Sequence, residues 1–309
     1  MNENKYIIDV LIPTYKPGSE FQKLLLGIMT QDYPVRNILV VNTEEKYWNP
    51  VFQEICPNLY VEHIRTDEFD HGGTRSAMAA SSDADILLFM TQDAIPADNC
   101  MVERMVSTFA MDRVKAAYAR QLPAPNCKLI ERFTRGFNYP PSADIKDKDD
   151  LPVLGIKTFF CSNVCAAYDR KTYEELGGFT THTIFNEDMI YASKLVNHGY
   201  AIAYAAESMV IHSHNYNCRQ QLQRNFDLGV SHAEYPEVFQ KYPSEGEGIK
   251  LVKKTAAYVI AKRKPWLLFR LFFQSAAKYI GYFLGKHYKS LPENIVQKCT
   301  MNKNYWKRK

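Results

Sequence analysis

The segment from Asp85 to Pro96 limits what this chain can fold into more than any other. Five apolar residues, Ile86 to Met90, are followed by Thr91, Gln92 and Asp93, and then by Pro96. A run apolar at every position cannot alternate between core and water. It reads as a strand covered on both faces, as in a parallel sheet packed between helices. The polar break places Asp93 just past the strand's carboxyl end, where open α/β sheets hold ligands. A carboxylate there can coordinate a hard divalent cation, and the cation can hold a diphosphate. On this stretch alone, capping a helix that starts near Pro96 explains Asp93 equally well.

The preceding chain supplies partners for such a strand. Tyr6 to Ile12 is β-rich and ends at Pro13 and Pro17, and a helix with Phe21, Leu24, Leu25 and Ile28 on one stripe follows. Ile38 to Val41 and Leu59 to Ile64 read as further strands, and Ser76 to Ala80 as an alanine-rich helix. Strands alternating with helices predict a doubly wound, mostly parallel, Rossmann-like α/β sheet. Further on, Val114 to Arg120 reads as a strand, 123–150 as a mobile loop rich in Pro, Asp and Lys, and Phe159 to Tyr168 as strand-like. A short helix spans Lys171 to Leu176, another starts at Asn186 to Asp188, and two strands flank Glu207. From Arg219 the chain reads as mainly helical.

At 309 residues, with 46% apolar and 23% charged residues, this is an ordinary globular composition with room for one large domain and an appendage. Seven scattered cysteines without a CxxC pair fit reduced thiols better than a disulfide framework or a structural zinc site. The polar start, Met1 to Lys5, has no secretory pattern, and no apolar run reaches the roughly 20 residues of a membrane span. The expectation is a cytoplasmic protein.

Several groups could carry chemistry. Asp93, Glu187 and Asp188 are carboxylates at element edges, and Asp188 at a helix start would be kept ionised by the helix dipole, as a base or simply as charge complementation. His212 and His214, at i and i+2, share one face of an extended segment, as metal ligands with Asp93 or as plain surface residues. Gly72, Gly73, Thr74 and Arg75 before a helix could meet an anion, although the glycines match no phosphate-loop pattern. Gln221 and Arg224, at i and i+3, share a helix face suited to phosphate oxygens or to solvent.

In this order and spacing, these residues resemble the inverting glycosyltransferases of family 2, which have the GT-A fold, over about residues 6 to 235. Leu11 to Tyr15 resembles the family's first strand and nucleotide loop. Thr91 to Ala94 stands where the family has Asp-x-Asp, Asn186 to Asp188 resembles its Glu-Asp base motif, and Gln221-x-x-Arg224 its Gln-x-x-Arg-Trp, with Asn225 in place of the tryptophan. Phe69 to Arg75, Thr91 to Ala94 and His212 to His214 together look most like the bacterial rhamnosyltransferase branch. Two departures are a single Asp93 for the Asp-x-Asp, and Glu44 where an Asp commonly reads the nucleobase.

The resemblance implies a division of labour. Thr14, Tyr15 and Glu44 would hold the base and ribose of a nucleotide-sugar, dTDP-rhamnose in that branch, with Gln92, Gln221 and Arg224 also on the donor. Arg75 would approach the diphosphate or hold the nucleotide loop. Asp93 and His214 would sit by Mg²⁺ or Mn²⁺. Asp188, with Glu187 beside it, would take the proton of a hydroxyl on a glycan or lipid-linked glycan acceptor, giving one inverting displacement in cell-surface polysaccharide synthesis. A sugar-binding module without catalysis is the alternative. A nucleic-acid binder is disfavoured by the mild net charge of +4 and the lack of any such motif.

The expected organisation is a GT-A domain over 1–235 and a helical, basic-aromatic region over 236–309. Within 258–290, Trp266, Phe269, Phe272 and Phe273 are interspersed with Lys262, Arg263, Lys264, Arg270 and Lys278. Such a segment suits peripheral contact with the inner face of the plasma membrane, or else packing on the protein itself or in a homodimer.

Overall fold

A computed structural model describes residues 6–241 and 245–307 of the chain. Its contacts divide into two compact bodies. The first comprises 1–122, 139–181 and 187–212, and the second 123–138, 182–186 and 213–309.

The first body is built on one nine-stranded sheet. In chain order its strands are β1 (Ile8–Tyr15), β2 (Asn37–Thr43), β3 (Leu59–Ile64), β4 (Ile86–Met90), β5 (Ile95–Pro96), β6 (Val114–Leu122), β7 (Asp144–Lys146), β8 (Cys165–Asp169) and β9 (Ala201–Ile211). Across the sheet the order is β3-β2-β1-β4-β8-β6-β9-β5, with β7 also paired to β9. β1 to β4 are mutually parallel, and β6 and β9 run parallel to each other. β8 runs antiparallel to both β4 and β6, so β6 and β9 point the same way as the first four strands. The sheet is therefore mostly parallel, as expected, with β5, β7 and β8 reversed.

β4 occupies its predicted place, and all five of its residues are buried. The stripe Phe21, Leu24, Leu25 and Ile28 of the Ser19–Met29 helix joins the core formed with Val10, Ile12, Val40 and Leu88. Between β3 and β4 the helix begins at His71, five residues earlier than expected. Asp70 caps it, accepting from the Gly73 N–H at 2.6 Å, and the cap overrides the helix-breaking tendency of Gly72 and Gly73. The two strands expected around Glu207 are one strand, β9. Opposite it the register jumps from Ala119↔Ala205 to Arg120↔Met209, so Ala206 to Ser208 form a bulge that looks like a break in the sequence. The strand-like stretch 159–168 is strand only from Cys165, after a 3₁₀ turn over Gly155–Phe159.

The second body is helical. The segment expected to be a mobile loop, 123–150, contains the helix Leu129–Asn138 and, in the sheet of the first body, β7. Prolines and aspartates at its ends mask a 3–4 residue periodicity of Ile130, Phe133 and Phe137, and the Phe133 ring stacks on Tyr258 at 4.6 Å. The centre of this body is the crossing of helix Cys218–Glu234 with helix Leu267–Lys286. Three glycines allow the backbones to touch. A methyl group at Gly229, Gly281 or Gly285 would collide with the carbonyl of Tyr282, Leu222 or Phe226, respectively. Asp227 binds Thr300 Oγ1 at 2.6 Å and the Met301 N–H at 2.9 Å, tying the end of the chain to the same helix. The Cys218–Glu234 helix thus packs with the C-terminal helices, and the expected boundary at 235 falls inside this body.

Candidate active site

The carboxyl ends of β1, β2 and β4 are laced together by side chains. Thr14 Oγ1 donates to Asn42 Oδ1 at 3.1 Å. The Gln92 amide straps β4 to β1, accepting from the Tyr15 N–H at 2.9 Å and donating to its carbonyl at 3.1 Å. Glu44 has one carboxylate oxygen held by the N–H and hydroxyl of Thr66, at 2.8 and 2.5 Å, and those hydrogen bonds keep it below the usual carboxylate range. Glu44 and Lys16 both have positive φ, 68° and 52°, so two left-handed non-glycine residues flank this edge. The Tyr15 ring, half exposed, meets Tyr47 edge-on at 5.8 Å, with Lys16 Nζ near both rings. Tyr47 and Lys16 were not singled out in the sequence, because neither belongs to a spaced motif.

Asp93 lies where the sequence placed it, past the end of β4. It caps no helix, since the next one begins at Met101 with Cys100 as its N-cap. Asp93 Oδ1 lies 3.6 Å from Nε2 of His212, at the end of β9. His212 is buried, and its Nδ1 is 3.0 Å from Gln121 Oε1. An amide oxygen can only accept, so Nδ1 carries the proton and the Nε2 lone pair faces the carboxylate. Two acceptors facing each other in this way repel unless a proton or a cation sits between them. A carboxylate and an imidazole oriented from behind by an amide fit a divalent cation, and such outer partners are how metal-binding histidines are held. The sequence offered both His212 and His214 as partners of Asp93, and the resemblance named His214; Gln121, the support of His212, was the omission. Strand periodicity carried the signal, because β9 runs directly into His212. His214 lies in the second body, its ring stacked on Tyr216 at 4.9 Å.

Glu187 and Asp188 open the helix Glu187–Asn197 as predicted. Arg75 is buried, with Nη1 3.2 Å from Glu187 Oε1 and donating to the His71 carbonyl at 3.0 Å. In this arrangement Arg75 supports the acidic pair. Asn163, which the sequence did not flag, clamps both acids. Its N–H donates to Asp188 Oδ2 at 3.1 Å and its Nδ2 to Glu187 Oε1 at 3.2 Å. Tyr168 Oη donates to Asn163 Oδ1 at 2.8 Å and so fixes which way the amide points.

The electrostatics separate the two acids. Burial works against ionising Glu187, but Arg75, His71 and Asn163 outweigh it and hold Glu187 below the usual range. Burial, and then the charge of Glu187, push Asp188 up to about 7. The helix dipole alone predicts the reverse for Asp188, and desolvation wins. Neighbouring acids with opposite displacements mark one as a fixed charge and the other as a group that exchanges a proton near neutrality.

Gln221 and Arg224 share one face of the Cys218–Glu234 helix, as expected. Gln221 is buried, and the Arg224 guanidinium lies over the Phe185 ring at 4.7 Å.

Comparison with known proteins agrees with this architecture. The family described as Glycosyl transferase family 2 matches residues 9–177. The O-antigen chain rhamnosyltransferase RfbN of Salmonella typhimurium is 39% identical, over 97% of this chain and 96% of its own. The O-antigen chain rhamnosyltransferase WbaN of Salmonella anatum is 38% identical, over 96% and 95%. In fold, the chain is similar to the mannosyltransferase PcManGT of Pyrobaculum calidifontis, solved with GDP-Man and Mn²⁺, with a TM-score of 0.58 and 17% identity over 98% of this chain and 85% of that one. It is also similar to S. aureus TarS 1–349, solved with UDP-GlcNAc, with a TM-score of 0.51 and 12% identity over 92% and 91%. The chain is a glycosyltransferase with a GT-A-like fold, and it belongs to glycosyltransferase family 2.

Proposed function

We propose that the enzyme transfers rhamnose from dTDP-rhamnose to a glycan, carried on a lipid, during synthesis of an O-antigen-type surface polysaccharide. The observation that carries this reading is the identity of 39% and 38% to two O-antigen chain rhamnosyltransferases over nearly their whole lengths. Asp188 is the general base. Its pKa near 7 lets it take the proton of the attacking acceptor hydroxyl and release it at neutral pH. Glu187 and Asn163 hold Asp188 in place, and Arg75 holds Glu187. Thr14, Tyr15 and Glu44 line the edge for the base and ribose, with Gln92 bracing Tyr15. Asp93 and His212 hold Mg²⁺ or Mn²⁺, and His214, two residues on and so within about 7 Å of backbone reach, is the third ligand. When bound, the ion neutralises charge on the departing diphosphate. Gln221 and Arg224 are assigned to the donor on the family resemblance.

We also assign the exposed face of the Leu267–Lys286 helix to peripheral membrane contact on the cytoplasmic side. Phe269, Phe272, Phe273, Tyr279 and Phe283 are all exposed, and no helix among the described residues is long and apolar enough to cross a membrane. From 248 to 292 the chain has no Asp or Glu, which suits an anionic lipid surface. The deciding experiment incubates purified protein with dTDP-rhamnose, UDP-glucose or GDP-mannose, with Mn²⁺ or chelator, and measures release of nucleoside diphosphate. Hydrolysis of dTDP-rhamnose above the other two supports the proposal, and preference for another donor overturns the sugar assignment.

A further inference from the structure

The second body contains a pocket that shares His214 and Gln221 with the reading above, but whose cations that reading does not use. Its cavity volume is about 40 Å³ and it opens to solvent, with Lys128, Glu131, His214, Arg270, Gln274 and Lys278 in its wall. Three of these side chains are cations, and the one acid is already engaged, with Glu131 Oε1 2.8 Å from Arg135 Nε. The first turn of the Leu129–Asn138 helix also lines the pocket, and first-turn N–H groups have no partner within their own helix. Lys278 is half-buried and has no hydrogen-bond or ion-pair partner among the described residues. Burial lowers its pKa, Glu131 offsets this, and Arg224 and Arg135 lower it further. An ammonium group in that position gains from an anion that none of its neighbours supplies.

The helix carrying Arg270, Gln274 and Lys278 has two opposed faces. Leu267, Arg270, Gln274 and Lys278 follow one another at three and four residues and form a single stripe. Phe269, Phe272, Phe273, Tyr279, Ile280 and Phe283 lie on the opposite side, each more than 45% exposed. A helix is roughly 10 Å across, so with its aromatic face sunk into the acyl boundary the pocket lies at headgroup height. We propose that this pocket binds the phosphate or diphosphate group of the lipid that carries the acceptor glycan, fixing the acceptor by its anionic linker rather than by its sugar alone. The proposal rests on the lipid-carried acceptor of the reading above. An unpaired ammonium and a guanidinium around a helix N-terminus are the groups that recognise phosphate oxygens, and a hydrocarbon tail accounts for the adjoining exposed aromatics.

The test uses full-length protein in chelator, so that no divalent cation recruits phosphate elsewhere. Binding of farnesyl diphosphate is measured by calorimetry, with farnesol, inorganic diphosphate and dTDP as comparators. Farnesyl diphosphate should bind more tightly than farnesol or inorganic diphosphate. Lys278→Gln and Arg270→Gln should each weaken it about tenfold, the scale of one charge-assisted hydrogen bond. Lys278→Arg should restore binding, and both Gln variants should keep the wild-type unfolding midpoint and dTDP-rhamnose hydrolysis. The proposal is overturned if the Gln variants bind farnesyl diphosphate like the wild type, or if inorganic diphosphate binds as tightly. Displacement of farnesyl diphosphate by dTDP would assign the pocket to the donor, and displacement by phosphatidylglycerol vesicles would assign it to bulk lipid; either refutes it. Because binding is read without any sugar, a wrong donor assignment leaves this result standing, and the two failures can be told apart.

Discussion

Asp188→Asn separates a catalytic base from a helix cap by acting in opposite directions on stability and activity. The folded-state value of about 7 stands roughly three pH units above the ordinary aspartate value of about 3.9. The folded protein therefore binds more protons than the unfolded chain between those two values, and its stability falls as pH rises through that window. Three pH units correspond to about 4 kcal/mol, an upper bound because Asp188 is only half-buried and water relieves part of the cost. Asparagine never ionises, so it escapes this cost. It also places an NH₂ near the N–H of either Asn163 or Met189, where the carboxylate now accepts from both, and that mismatch costs about 1–2 kcal/mol. The net expectation is a variant about 1–3 kcal/mol more stable than wild type at pH 8, with no gain or a slight loss at pH 5. Transfer should nearly vanish, while nucleotide binding is retained. Urea unfolding at pH 5, 6.5 and 8, with turnover at saturating acceptor, measures all of this. Were Asp188 only a cap, the variant would lose about 1 kcal/mol at every pH and keep its turnover, and the assignment of the base would fall.

Other outcomes follow from the same geometry. Asp93→Ala should weaken binding of dTDP about tenfold or more with Mn²⁺ present and hardly at all in chelator; equal losses in both conditions would remove Asp93 from the metal site. His212→Ala should show the same metal-dependent loss, whereas Gln121→Leu, acting through His212, should lower Mn²⁺ affinity by a smaller factor, read by titrating the metal against dTDP binding. Gly285→Ala forces apart two helices in backbone contact and should cost about 2–3 kcal/mol in urea unfolding, against a gain of under 1 kcal/mol if the site were merely an exposed helix position. Full-length protein should co-sediment with anionic liposomes, and Phe269→Glu with Phe272→Glu should abolish this without changing the unfolding midpoint. Pairs in sedimentation equilibrium that dissociate in the same double variant would show instead that a second copy covers that face.

What could be read from the sequence, and what could not, follows from the range of the interactions concerned. β4 was legible because burial on both faces leaves an unbroken apolar run, and Asp93 followed from where that run stops. The order of the acids, the glycines and Gln221 with Arg224 was enough to indicate the family. The partners of those residues were not legible. Asn163 reaches Asp188 and Glu187 across 24 or more positions, and Gln121 reaches His212 across 91, so no local period announces either. The pKa of Asp188 is likewise a tertiary property: a helix N-terminus alone lowers it, and only burial beside Glu187 reverses the sign. The tail gives the clearest case. Its aromatics and cations read as one undifferentiated basic-aromatic strip, whereas folding sorts its residues by helical phase and by position along the helix. Gly281 and Gly285 go to a backbone contact, Arg270 and Lys278 to a pocket, and Phe269, Phe272 and Phe273 to the surface. That sorting also changes which experiment can probe the face. Truncation near Ile260 would strip the Cys218–Glu234 helix of its partner and expose Gly229 with its neighbours, so loss of lipid binding would not distinguish a missing face from a damaged fold. Substitutions confined to the exposed phenylalanines leave the glycine contact intact, and only they make the result attributable to the surface.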